Sequence, residues 1–313
     1  MKRYDCFVSI DKLRVCMNMP DGLYSYLKDH YTRHDRQTNN RILDEDDFTL
    51  TFIEEEEQKM TATLDVRDIN GYYRLGTFAF HDGAKYEGRA FFAFENSALY
   101  RIYMRQYNGE PINHICDFIT VCEHYGLEFN NITELELALD SNYNYIGKVR
   151  SMIKNVSRYD LYLNGRKVVN DETLDGYGEY YSRSRTKLSK LPTLYFSQAK
   201  DTDMKMRIYD KATELIESSP YKTKQLKEWL GWDDISTLYR VEVVMHNTNV
   251  REFIGRYGEV LVGDSGEHCN ILNLLASEEF RLAMVLDSTN RMIYFRDKQT
   301  GNHISLVEVA TGI

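Results

Sequence analysis

The sequence predicts an α+β fold in which antiparallel sheets are covered by helices. Between residues 48 and 94, short strand-forming segments follow one another and are joined by turn signals such as Asn70-Gly71 and Asp82-Gly83. Shortly after them, apolar residues recur at helical spacing between Pro111 and Tyr125. Strands joined by short turns pair in antiparallel fashion, and an amphipathic helix buries its apolar side against such a sheet.

The N-terminal part of the chain is predicted to begin with a strand and to end with a helix. Residues Cys6 to Met17 alternate as a strand does, and Pro20-Asp21-Gly22 is a helix-start signal. A polar loop is expected over residues 36–46. Four strands are expected after it, over residues 48–53, 60–66, 72–80 and 89–94. Gly126 is the expected end of the helix that begins near Pro111.

The second part begins with the clearest strand of the sequence, Glu134 to Asp140, whose leucines all face one way. A helix is expected over residues 145–156, with Val149 and Val156 on its buried side, and an irregular or hairpin segment over residues 164–191. Three strands follow, over residues 193–197, 204–210 and 238–246. Helices are expected over residues 249–257 and 269–286, and a last strand over residues 291–296.

We divide the chain into an N-terminal α+β half (1–130), a catalytic α+β half (131–257) and a C-terminal helical extension (258–313). Each half has a strand that carries an aspartate, Asp11 or Asp140, and runs into a helix. Two related halves that form one catalytic unit therefore remain an alternative.

Composition favours a cytoplasmic protein without structural zinc. The five cysteines are scattered and form no C-x-x-C pair, which favours reduced thiols. No stretch approaches the roughly 18 apolar residues that span a bilayer, so we expect no membrane partner.

The net charge of -9 disfavours nucleic-acid binding, but basic residues gather after residue 148. Such a zone can hold DNA, although a solvated charged surface explains it equally well. Tyr180 and Tyr181 lie in the same zone and are available for base stacking. The candidate DNA-binding residues are Lys148, Arg150, Lys154, Arg183, Arg185 and Lys187.

Three predicted strands carry charged residues on the face opposite their apolar side. The strands contribute Glu136 and Asp140, then Lys205, Arg207 and Tyr209, then Arg240 and Glu242. If these strands are neighbours, their side chains converge on one surface, where grouped carboxylates would suit Mg²⁺ or Mn²⁺.

Tyr209 is the candidate nucleophile on this surface. Ionising a phenol with a pKa near 10 costs about 4 kcal/mol at neutral pH, so a nearby cation such as Lys211 or a bound metal ion is needed as an activator. Arg207, Lys205 and Arg240 are candidate phosphate ligands. The alternative is structural, since cross-strand Glu/Arg pairs commonly stabilise sheets and the chain has 24 tyrosines.

Three segments in this order resemble the replication initiation factor family, the initiators of rolling-circle plasmids and related conjugative relaxases. The segments read T-E-L-E-L-A-L-D over residues 133–140, M-R-I-Y-D-K-A-T-E over residues 206–214 and Y-R-V-E-V over residues 239–243. The opening strand from Val8 to Leu13 also resembles the family's first strand, and the resemblance covers about residues 7 to 256.

The resemblance implies a metal-dependent enzyme that nicks one DNA strand at an origin and transfers it. Tyr209 is expected to keep the 5′ end as a phosphotyrosine while the released 3′-OH primes a polymerase. The carboxylates Glu136, Asp140 and Glu242 are the implied ligands of Mg²⁺ or Mn²⁺, since the sequence has no His-hydrophobic-His pair. Arg207 and Lys211 are the implied catalytic partners of Tyr209, and Glu214 and Arg240 have supporting roles.

The implied partner is single-stranded or cruciform origin DNA, and a helicase partner and a homodimer are compatible with the resemblance. Two alternatives remain. A non-catalytic DNA-binding or assembly protein on the same fold would cleave nothing. A hydrolytic two-metal nuclease would release a 5′ phosphate without a covalent protein adduct.

Overall fold

The computed structural model describes residues 6–68, 71–101, 114–168, 193–197, 204–218, 223–224, 226–227, 234–262 and 271–311. The chain divides into two compact units. The N-terminal unit comprises Ile10–Leu135, and the Tyr209 unit comprises Met1–Ser9 together with Glu136–Ile313. The expected boundary after residue 130 lies close to Leu135, whereas residues on both sides of the expected boundary after residue 257 belong to the Tyr209 unit.

The N-terminal unit contains the series of strands that the sequence predicts, together with three helices in the part of it that the structure describes. Its helices are α1 (Leu23–Asp29), α2 (Asn96–Arg101) and α3 (His114–His124). Its strands are β1 (Cys6–Asn18, from Ile10 onward), β2 (Arg33–His34), β3 (Arg41–Asp44), β4 (Phe48–Glu55), β5 (Lys59–Asp68), β6 (Gly71–His81), β7 (Arg89–Phe94) and β8 (Glu128–Ser141, up to Leu135). The hydrogen-bonded order is β8-β1-β7-β6-β5-β4-β3-β2, and the pairs from β1/β7 to β2/β3 are antiparallel.

Aromatic residues hold α3 against this sheet. Phe78 and Phe92 face the same side of β6 and β7, and the Phe118 ring of α3 lies 4.5 Å from the Phe92 ring. The helix ends as expected, because Gly126 has a φ of 65° and lets the Leu127 N–H donate to the Cys122 carbonyl at 2.8 Å.

The prediction of a loop over residues 36–46 is wrong in part, because β3 lies inside it. Strand β3 pairs with β4 in antiparallel register, with Ile42 opposite Thr51. Only Ile42 and Leu43 are apolar in this short strand, so the sequence shows no alternation to reveal it.

The Tyr209 unit contains two sheets and several helices among its described residues. Its helices are α4 (Tyr145–Lys154), α5 (Lys211–Ser218), α6 (Asn247–Val262), α7 (Ile271–Ala276), α8 (Glu278–Met292) and α9 (Leu306–Thr311). Its further strands are β9 (Tyr159–Leu163), β10 (Arg166–Lys167), β11 (Leu194–Ser197), β12 (Lys205–Asp210), β13 (Tyr239–Met245), β14 (Ile293–Asp297) and β15 (His303–Ser305). One sheet has the order β11-β12-β13-β8-β1 and the other has the order β10-β9-β14-β15.

Helix α4 begins at a cap and ends earlier than predicted. The Asn144 side chain accepts the Gly147 N–H at 2.9 Å, which satisfies a donor that the first turn leaves unpaired. The helix ends at Lys154, so Val156, predicted on its buried side, lies beyond the helix and is 69% exposed.

The single helix predicted over residues 269–286 is wrong, since α7 and α8 are separated at Ser277. Ser277 has extended backbone angles, and its hydroxyl accepts the Phe280 N–H as the cap of α8. Arg281 in the first turn of α8 is buried and donates to the carbonyls of Val8, Leu275 and Ala276. This arginine joins β1, the end of α7 and α8 within the Tyr209 unit.

The predicted fold class, α+β with antiparallel sheets, is confirmed. Among the helices of the described residues, none is both long and apolar enough to cross a bilayer.

Candidate functional site

Strand register within the Tyr209 unit brings the predicted polar face together. Strands β12 and β13 are antiparallel, with Arg207 opposite Glu242 and Tyr209 opposite Arg240. Strand β13 lies next to β8, which carries Glu136 and Asp140. Because directly opposite residues of neighbouring strands point to the same face, these side chains share one side of the sheet.

The Tyr209 hydroxyl donates a hydrogen bond to Glu242 Oε1 at 2.5 Å. Arg240 Nη1 lies 3.4 Å from the same oxygen, and Arg207 Nε donates to the other oxygen, Oε2. The Glu242 side chain is fully buried, so these donors take the place of the water that would solvate its charge. Glu242 is thus a buried hydrogen-bond acceptor for Tyr209, and two guanidinium groups also contact its carboxylate.

Asp140 and Arg240 form a buried, bidentate ion pair. Arg240 Nε and Nη2 each lie 2.7 Å from one oxygen of Asp140. The two side chains are 0% and 1% exposed, respectively. Paired N–H donors from a planar guanidinium match a carboxylate in geometry, so Asp140 fixes the direction in which Arg240 points.

Glu136 is the second carboxylate close to Glu242. Arg207 Nη2 donates to Glu136 Oε1 at 3.1 Å, so the Arg207 guanidinium contacts both glutamates. One oxygen of Glu136 lies within 4.8 Å of one oxygen of Glu242. Carboxylate oxygens at this separation can approach one divalent cation with little movement, and hard oxygen ligands suit Mg²⁺ or Mn²⁺.

A cavity of about 650 Å³ opens beside Tyr209. Its wall combines cationic, anionic, amide, hydroxyl and aromatic groups, which is the lining expected for a polar ligand rather than an apolar one. The lining residues are Asn144, Ile146, Gly147, Arg150, Thr193, Tyr195, Arg207, Tyr209, Asp210, Thr213, Glu214 and Tyr239.

Two cations flank the Tyr209 ring. Arg207 Cζ and Lys211 Nζ each lie 5.5 Å from the ring centre. Lys211 also pairs with Glu214, with 2.6 Å between Nζ and Oε2. Arg207 and Lys211 therefore place positive charge close to the phenol ring.

Burial and acidic neighbours raise the pKa values of two tyrosines near Tyr209. Burial raises the pKa of Tyr145 well above its ordinary value, and the negative charge of Asp140 raises it further. Burial and then the charge of Asp210 also raise the pKa of Tyr239. Both side chains are therefore held as neutral phenols.

The predicted DNA-binding residues have different positions. Arg150 lines the cavity, whereas Lys148 and Lys154 are exposed on α4. Lys205 is exposed on β12 opposite Val244. Arg183, Arg185 and Lys187, together with Tyr180 and Tyr181, lie outside the described residues.

Sequence reasoning missed several cavity residues, above all Tyr195, which lies opposite Arg207 in the β11/β12 pair. Alternation within the strand over residues 193–197 could have placed Tyr195 on one of its faces. The register that sets this residue beside Arg207 is a tertiary property that no local pattern encodes.

No protein-family model matches the sequence, and no curated protein matches it. Among solved structures, the chain is similar to a rolling circle replication initiator protein from Geobacillus stearothermophilus. The sequence identity is 16% and the TM-score is 0.44, over 98% of this chain and 97% of that chain.

Proposed function

We propose that this chain nicks one strand of DNA at an origin, with Tyr209 as the nucleophile, and holds the 5′ end as a phosphotyrosine. The observation that carries this proposal is the 2.5 Å hydrogen bond from the Tyr209 hydroxyl to the buried Glu242. A nucleophile within hydrogen-bond distance of a base, beside a cavity, is the arrangement that nucleophilic catalysis requires. The ordered sequence motifs around Tyr209 supply the choice of DNA as the substrate.

The proposed step is a transesterification. The Tyr209 proton passes to Glu242 as the phenolic oxygen attacks phosphorus, and a tyrosyl O–P bond forms. The bond from phosphorus to the 3′ oxygen breaks, and this oxygen leaves with the bonding electrons and takes a proton from water. One phosphodiester replaces another, so the 3′-OH is available for a polymerase and the reverse reaction can rejoin the strand.

Arg207 and Arg240 are proposed to act differently. The Arg207 side chain is 44% exposed and lines the cavity, so its guanidinium can reach a phosphate that enters beside Tyr209. Arg240 is buried and is held by Asp140, so it acts by fixing Glu242 rather than by contacting DNA. We therefore propose Asp140 as a positioning residue for Arg240 rather than as a metal ligand.

Glu136 and Glu242 are the residues that we propose to hold Mg²⁺ or Mn²⁺. When bound, such an ion would offset the negative charge that develops on the phosphate oxygens. Arg207 contacts both carboxylates and would have to turn away from them, which is compatible with its exposed position.

The test is covalent capture of DNA labelled at its 3′ end. A random single-stranded library is incubated with the protein and Mn²⁺ and analysed on a denaturing gel. The wild-type protein is expected to carry label, because the 3′ fragment keeps its new 5′ end on Tyr209. Tyr209→Phe is expected to bind the library but to form no adduct, whereas the control Tyr257→Phe forms it at the wild-type rate.

Three other outcomes of this experiment would contradict the proposal, each in a different way. Labelled adduct on Tyr209→Phe would reject Tyr209 as the nucleophile. Cleavage without any adduct would indicate the hydrolytic nuclease. No cleavage by the wild-type protein with Mn²⁺ or Mg²⁺, in the presence of binding, would indicate the non-catalytic DNA-binding protein.

A further inference from the structure

Tyr195 is an aromatic side chain that the proposed chemistry does not use. It lies on β11, the last strand of its sheet in the described order, and pairs with Arg207 of β12. Its side chain is 43% exposed and makes no hydrogen bond or ring contact with the described residues. A large aromatic ring on an edge strand beside a polar cavity is placed to contact a ligand rather than to fill a core.

The charged groups on the cavity wall are of both signs. The two arginines, Arg150 and Arg207, are the cationic groups of the lining. Asp210 accepts the Thr213 N–H at 3.0 Å, and Glu214 pairs with Lys211, so both carboxylates have partners of their own. A phosphate would lie near the arginines, and Tyr195 offers a ring face next to Arg207.

We propose that Tyr195 is the platform on which an unpaired base stacks, next to the phosphate that Tyr209 attacks. This inference rests on the proposed function and adds a specific contact to it. Side chains opposite each other on neighbouring strands are about 5 Å apart at Cβ, so a phosphate held by Arg207 brings the adjoining base within reach of the Tyr195 ring. Each base in a duplex is already stacked on both faces, so Tyr195 selects a strand that is unpaired at this nucleotide.

The test measures binding rather than cleavage and uses the Tyr209→Phe protein, which leaves the oligonucleotide intact. Two labelled probes of about 12 nucleotides are compared, oligothymidine and an oligomer of the same length made of abasic residues. Adding Tyr195→Ala is expected to weaken oligothymidine binding about 5- to 150-fold, the loss of one stacked base. Binding of the abasic oligomer is expected to stay the same, because its phosphates are unchanged.

Two further variants make the result specific. Tyr195→Phe keeps the ring and is expected to bind oligothymidine as the parent does. Tyr72→Ala removes another exposed tyrosine, from the N-terminal unit, and is expected to change neither Kd.

The outcomes separate this inference from the proposed function. Unchanged oligothymidine binding by Tyr195→Ala, or an equal loss with both probes, would overturn the stacking role. If wild-type protein forms no covalent adduct while Tyr195→Ala still loses only base-dependent affinity, the nicking proposal fails and the stacking role stands. If the Tyr209→Phe protein binds neither probe, both proposals fail.

Discussion

Glu242 accepts hydrogen bonds from Tyr209, Arg207 and Arg240 although its side chain is fully buried. A buried carboxylate with no partner is unfavourable by several kcal/mol, so the buried position of Glu242 depends on these donors. Arg240 in turn depends on Asp140, which takes two of its N–H groups. The position of Glu242 therefore depends on a buried ion pair, Asp140 with Arg240, that is not among the residues lining the cavity.

The Asp140 and Arg240 pair can be tested by its effect on stability. Asp140→Ala leaves a buried guanidinium without its bidentate partner and is expected to lower the free energy of unfolding by about 3–5 kcal/mol. Urea unfolding followed by tryptophan and tyrosine fluorescence measures the change.

The double variant Asp140→Leu with Arg240→Met is the control for this pair. Replacing both charges with apolar side chains of similar size removes the unpaired guanidinium but leaves Glu242 with Tyr209 and Arg207 as its remaining donors among the described residues, so it is expected to recover part of the lost stability. If Asp140→Ala unfolds at the wild-type urea concentration, or the double variant unfolds no later than Asp140→Ala, the pair does not have this role.

At the residue scale, local sequence patterns were sufficient to group Arg207 with Tyr209 and Arg240 with Glu242, because alternation assigns each pair to one strand face. Local sequence patterns do not identify the side chains that these residues contact on other strands. That Asp140 pairs with Arg240, and that Tyr195 lies beside Arg207, depends on strand order and register. Both are set by packing of the whole sheet rather than by neighbouring residues.

At the element scale, Ser277 decides where one helix ends and the next begins. Its hydroxyl accepts the Phe280 N–H at 3.3 Å and donates to Glu279 Oε2 at 2.8 Å. The new helix α8 then carries Arg281 to its buried carbonyl partners and Ser288 to Met245 of β13. The cap therefore sets the start of the helix that packs against the strand of Glu242.

Ser277→Ala is expected to lower the free energy of unfolding by about 1 kcal/mol, the usual contribution of a helix N-cap. Ser277→Asp is the matched control, because its carboxylate can accept the same N–H and suits the positive end of the helix dipole. Urea midpoints of the three proteins provide the comparison. Equal midpoints for Ser277→Ala and the wild-type protein would mean that packing alone starts α8.

Elements with a long periodic pattern were predicted from sequence, and short or interrupted ones were not. The strand β8 and the helix α3 have enough repeats for a clear pattern. Strand β3 has two apolar residues, and β15 has three residues in all. The break between α7 and α8 has apolar residues on both sides and no glycine or proline, so the helical pattern continues across it.

At the scale of the whole molecule, the net charge of -9 is unfavourable for binding DNA, the proposed ligand, because both are negatively charged. Many acidic groups of the N-terminal unit are paired locally, as in Arg41 with Glu55 and Lys59 with Glu54. At physiological ionic strength, exposed charges are screened beyond about 8 Å. Short-range contacts at the cavity, rather than the overall field, therefore have to provide the affinity for a DNA strand.

Arg150 allows this conclusion to be measured, because it is one of the two arginines that line the cavity. For single strands, log K falls with log salt concentration with a slope of about -0.7 for each phosphate that is neutralised. Arg150→Gln in the Tyr209→Phe protein is expected to weaken oligothymidine binding and to make this slope shallower by about 0.7.

Titrations of oligothymidine binding between low and moderate NaCl concentrations give the slopes. The control is Arg14→Gln, which removes a half-exposed arginine of the N-terminal unit and is expected to leave the slope unchanged. A shallower slope for both variants would mean that DNA senses the charge of the whole protein, whereas an unchanged slope for Arg150→Gln would remove this arginine from the phosphate contacts.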